Sequence, residues 1–191
     1  MLKMKLIWLV LIGLLLGSAI TWAAPPQDYT LVYTFKNPDG TLFRTIKYYL
    51  RNGNKYRADY LSGAGAVNTI KIMRKDKGLV WLLDPGFKTY TETALAQGPW
   101  ERAINEYYIT DFNEFKKTGE TKLLGYSCDM YETEGDGWSN IIVVAQDINV
   151  ILKTESIENG KIVQIMEATE FRQEKPAAAL FEIPAGYKRS E

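Results

Sequence analysis

The sequence predicts a mainly β protein of the α+β kind: an antiparallel sheet assembled from successive hairpins, with one or two helices packed on it. Three observations predict it. Apolar and polar residues alternate through run after run, the pattern of a half-buried strand. The runs are separated by short turns rich in glycine, asparagine and proline, as hairpins require. Strands do not alternate with crossover helices, which argues against a parallel doubly wound sheet.

The chain opens with a segment of another kind. Lys3 and Lys5 precede an apolar run over residues 6–17, followed by Ser18, Ala19, Thr21 and Ala23. A basic start, a short apolar core and a small-residue exit make a secretory signal peptide. The run falls short of the roughly 20 residues of a membrane span. Cleavage is expected after Ala23, with Ala19 as second choice and an uncleaved anchor as the alternative. This divides the chain into a signal peptide, 1–23, and a single domain, 24–191, with no stable membrane span after cleavage. No cysteine lies near the exit to take a lipid.

Strands follow in order. Residues 28–36 place Leu31, Tyr33 and Phe35 on one face. Asn37-Pro38-Asp39-Gly40 is a turn, because proline presets one dihedral angle and glycine accepts positive φ. Residues 41–51 put Leu42, Ile46, Tyr48 and Leu50 on one face, and Asn52-Gly53 turns the chain into 55–61. Further runs cover 66–74, 79–84 and 88–93. From Pro99 to about Lys117 the apolar spacing changes to three and four through Ala103, Ile104, Tyr107, Phe112 and Phe115. That spacing predicts one or two helices, with Pro99 suited to a first turn. Strands resume at 119–124, 127–135, 138–147, 149–158 and 161–172, the last two joined by Asn159-Gly160. A short helical piece is expected over 176–181.

Two runs, LVWLL at 79–83 and NIIVVA at 140–145, are apolar at consecutive positions. A strand of that kind is covered on both faces. It is either a central strand under a helix or the wall of a cavity for an apolar ligand.

Composition narrows the chemistry. The chain carries 23 basic and 23 acidic residues, and loss of Lys3 and Lys5 leaves the mature chain at −2. A nucleic-acid partner needs a basic face, which this balance does not supply. It gives no support to adhesion on anionic membranes through a basic patch either. There is no histidine, so the commonest general base and zinc ligand are missing. The single cysteine, Cys128, has no partner in the chain for a disulfide. Its neighbours Asp129 and Glu132 disfavour a thiolate, so Cys128 reads as a small buried side chain. The pairs Glu132 with Glu134 and Glu167 with Glu170 read as solvated faces or cross-strand ion pairs before they read as catalytic dyads. Glu134-Gly135-Asp136-Gly137 lacks the further oxygens of a calcium loop and reads as a tight turn. The many tyrosines suit half-buried pleated faces better than a base-stacking platform. No metal and no cofactor is expected.

Three stretches carry a resemblance: 76–85 with 88–92, Gly125-Tyr126-Ser127-Cys128-Asp129-Met130-Tyr131, and 180–188. Together, over residues 28–189, the chain resembles a domain-of-unknown-function family of secreted bacterial proteins, similar in pattern to the periplasmic lipoprotein carriers LolA and LolB. The resemblance implies a curved antiparallel sheet forming an incomplete barrel, with helices covering the concave side. In the carriers that cavity receives acyl chains. On this footing the candidate cavity lining is Trp81, Leu83, Ile142, Val144 and Leu152, with Trp100 and Tyr107 from the covering helix.

The expected function is a cell-envelope binding protein that carries or senses a lipid acyl chain or a lipoprotein. The alternative is a structural or protein-interaction module with a filled core and an envelope protein as partner. A hydrolase is the third class, weakened by the missing histidine. Export places the protein in the periplasm if the host has an outer membrane, and otherwise at the cell surface or in the medium.

Overall fold

A computed structural model describes residues 26–96, 98 and 115–190. The expected signal peptide lies outside the described residues. So do Trp100, Tyr107 and most of the segment expected to be helical.

Among the described residues twelve strands form one sheet. They are β1 (Tyr29–Lys36), β2 (Leu42–Arg51), β3 (Lys55–Ser62), β4 (Val67–Arg74), β5 (Leu79–Asp84), β6 (Thr89–Ala94), β7 (Lys116–Leu123), β8 (Tyr126–Gly135), β9 (Trp138–Ala145), β10 (Val150–Glu158), β11 (Lys161–Arg172) and β12 (Lys188–Arg189). Their order is β12-β6-β5-β4-β3-β2-β1-β11-β10-β9-β8-β7. Two meanders, β1 to β6 and β7 to β11, are joined by the pairing of β1 with β11, and the sheet is open at both ends. Every pairing is antiparallel except that of β12 with β6. Hairpin turns follow their residues. At Asn159-Gly160 both φ angles are positive, 49° and 74°, which Asn-Gly tolerates and a two-residue turn between twisted strands needs.

The expected helices over the concave side are corrected where the chain is described. Lys116 and Lys117, the end of the expected helical segment, lie in β7 and pair with Glu132 and Tyr131 of β8. Cross-strand pairing overrides the helical spacing there. Among the described residues the helical structure is a 3-10 turn, Ala178–Phe181, inside the expected 176–181 piece. It packs on the opposite face from the pocket described below.

The sheet buries both faces. On one, Leu31, Tyr33, Phe35, Ile46, Tyr48, Leu50, Tyr56 and Met73 form the main core with Cys128, Val150 and Leu152. Tyr33 and Tyr48 meet edge to face at 6.0 Å, and Tyr48 and Tyr56 at 5.9 Å. These three tyrosines fill the core. The other face of β4 and β5 is closed by the C-terminal strap. Phe181 is fully buried there against Ile70, Ile72, Trp81 and Leu83. Three arginines hold the strap's carbonyls: Arg51 donates to Pro176, Arg57 to Leu180 and Arg74 to Phe181. Arg74 also pairs with Glu182 and Asp76.

The first face is concave. Phe171 of β11 and Tyr126 of β8 are three strands apart, about 14 Å on a flat sheet, yet their rings lie 6.0 Å apart. A bulge helps the sheet bend. β10 carries one extra residue, Leu152, between its partners Val144 and Val143. The Tyr33 hydroxyl crosses β11 and donates to the carbonyl of Ile151 beside that bulge.

Candidate functional site

Among the described residues the concave face is not filled throughout. Between β3 and β10 it forms a half-open pocket of about 320 Å³ lined by Phe35, Arg44, Ile46, Tyr48, Tyr60, Ile151, Thr154, Gln164 and Met166. β3 and β10 are four strands apart, about 19 Å on a flat sheet, so one small pocket touches both only because the sheet curls. Strand alternation supplies the lining. Phe35 pairs with Arg44 and with Met166, and Ile46 pairs with Tyr60, so their side chains share a face. The floor is apolar and aromatic, with Thr154, Gln164 and Arg44 as its polar groups.

Arg44 is the unusual member. Its guanidinium carbon sits 4.2 Å from the centre of the Phe35 ring and 5.9 Å from that of Phe43. Such an approach to the ring faces favours a cation. Its Nε is buried and has no hydrogen-bond acceptor. A buried donor without an acceptor is costly, and native structures rarely leave one unexplained.

The residues expected to line a cavity fall into three separate clusters. Trp81 and Leu83 pack under the strap with Phe181, where the Trp81 indole N–H donates to Glu92 at 2.8 Å. Ile142 and Val144 pack with Tyr131 and Phe115. Leu152 belongs to the main core. None of these five lines the 320 Å³ pocket. The two consecutive apolar runs also differ. Ile142, Val143, Val144 and Ala145 are all buried, so β9 is covered on both faces, whereas Leu82 of β5 is 48% exposed. Arg44 escaped the sequence reading although a signal exists. It has the parity of Ile46, Tyr48 and Leu50, and so places a charge on an otherwise apolar strand face.

The second carboxylate pair weighed in the sequence is tied into ion pairs. Glu167 meets Lys36 at 3.4 Å and Glu170 meets Arg172 at 2.7 Å. Cys128 is fully buried and its S–H faces the Tyr126 carbonyl at 3.4 Å. Burial pushes the thiol's pKa up, and the nearby Asp129 charge adds to this. Asp136-Gly137 forms the tight turn between β8 and β9, with φ of 76° at the glycine.

Residues 31–152 match the family described as a domain of unknown function, DUF4412, and the chain belongs to that family. No curated protein matches it. Among solved structures it is similar to an uncharacterized conserved protein from Thermus thermophilus, at 12% identity and a TM-score of 0.55, over 84% of this chain and 89% of that one. It is also similar to MucB, at 12% identity and a TM-score of 0.57, over 87% of this chain and 60% of that one. The Pseudomonas aeruginosa MucA/MucB complex gives 14% identity and a TM-score of 0.56, over 83% of this chain and 56% of that one. The chain thus spans a little over half the length of the MucB chains. At these identities the likeness concerns the fold. No helix among the described residues is long and apolar enough to cross a membrane.

Proposed function

We propose that this protein is an exported binding protein of the cell envelope that takes an apolar chain, from a lipid or a lipid-modified protein, into the concave pocket. The observation that carries the reading is the pocket itself: among the described residues, an open space in the concave face whose lining side chains are mostly apolar or aromatic. Small-molecule sites are typically concave, mostly apolar and supplied with few polar groups. Each methylene buried there contributes roughly 0.8 kcal/mol, so a chain is held without a catalytic or metal centre. The resemblance to LolA and LolB, the MucB-like fold and the leader-like N-terminus support the same reading. We accordingly read the protein as a binder and not as an enzyme.

A second reading is a protein-interaction module. Phe43, Phe87, Trp138, Ile162 and Val163 are exposed at the end of the sheet that carries the β1–β2, β5–β6, β8–β9 and β10–β11 turns. Exposed apolar side chains gathered at one end suit a partner surface. Native mass spectrometry of protein purified gently from the exported fraction, repeated after organic extraction, separates the two. An extractable mass of lipid size supports the binding reading. A clean apo mass with no uptake of added lipid supports the interaction module.

A further inference from the structure

The apolar chain accounts for the pocket's floor but not for Arg44. Six arginines lie among the described residues, and the other five all meet oxygen. Arg57, Arg74, Arg172 and Arg189 pair with carboxylates, and Arg51 donates to a carbonyl. Arg44 has neither: no described carboxylate pairs with it and no described carbonyl accepts from it, and its Nε, like that of Arg51, is buried with no acceptor. Its guanidinium carbon nonetheless sits over the Phe35 ring at the pocket wall. A guanidinium held at an aromatic ring, with donors unused, is shaped for the two oxygens of a carboxylate or phosphate. Thr154 and Gln164 line the same space and add hydrogen-bonding capacity.

We propose that Arg44 is the anion-recognising residue of this pocket, and that the ligand is a single-chain amphiphile with an oxyanion head, carboxylate or phosphate. The proposal rests on the apolar-chain reading above. A space of 320 Å³ lies near the lower end of the roughly 300–1,000 Å³ of small-molecule sites, which suits one chain and not two. Phe35, Ile46, Tyr48, Ile151 and Met166 receive the tail, and Arg44 receives the head.

The test is calorimetric titration of the exported protein with four probes sharing one chain: dodecanoate, dodecyl phosphate, methyl dodecanoate and dodecanol. Either anion is expected to bind about tenfold or more tightly than both neutral probes. Whichever anion binds more tightly identifies the head. Arg44→Gln should remove the preference while the neutral probes bind as before, and Arg44→Lys should restore part of it. Should Arg44→Gln melt at a much lower temperature, the comparison of probes on the unaltered protein decides the question alone. Equal binding of all four probes overturns the role of Arg44 and leaves the apolar pocket standing. Binding of none overturns the pocket reading itself.

Discussion

Replacing Phe181 with alanine tests whether the C-terminal strap is part of the core. The Phe181 ring is fully buried against Ile70, Ile72, Trp81 and Leu83. Truncating a buried phenylalanine to alanine costs about 3–5 kcal/mol, the loss being larger where the surroundings cannot collapse into the space. Collapse is hindered here. Arg57 and Arg74 clamp the backbone carbonyls of Leu180 and Phe181, and Arg74 is itself buried. The upper half of that range is therefore expected. For a domain of this size it corresponds to a fall in melting temperature of roughly 8–20 °C. Urea titration at fixed pH measures it, with the slope compared to that of the parent to confirm that the same surface unfolds. Probe binding in the pocket should persist under native conditions, because Phe181 lies on the other face of the sheet. A loss below about 1 kcal/mol would show that the strap only rests on β4 and β5, and would refute the packing argument.

Three other features are open to test. Cys128 should resist an aromatic disulfide reagent at mildly alkaline pH in the native state and react in full on unfolding; rapid native labelling would contradict its burial. Leu124 holds a positive φ of 51° before Gly125, so Leu124→Asn should raise stability by about 0.5–1 kcal/mol, measured by the urea midpoint. Hydrogen bonding from Arg74 holds the Asp76 carboxyl below the usual carboxylate range, against an opposing effect of burial. Its folded pKa is below its unfolded one, so its contribution is present above about pH 4 and is lost as pH falls through the folded value. Asp76→Asn should lower stability at neutral pH and flatten that part of the acid limb, as urea midpoints across the pH range would record.

Most strands were legible because alternation over eight or more residues is a strong local signal, as in β1 and β11. β12 was not, since two residues pairing in parallel with β6 depend on where the tertiary fold delivers the chain. The bulge at Leu152 was equally invisible, because an extra residue shows only against its partner strand. Alternation groups residues by face without saying which face is concave. Trp81 and Leu83 were rightly grouped, yet they lie under the strap. Arg44 was legible in principle, as a charge among apolar residues of one parity, but its significance needed the ring beneath it and the missing acceptor.

The central claim is that the concave pocket receives an apolar chain. Photo-crosslinking with a fatty acid bearing a diazirine near its tail, followed by peptide mapping, tests it most directly. Adducts are expected on the β2, β10 and β11 peptides that carry Ile46, Tyr48, Ile151 and Met166. Adducts confined to the β5 peptide with Trp81 and Leu83, or no adducts at all, would contradict it.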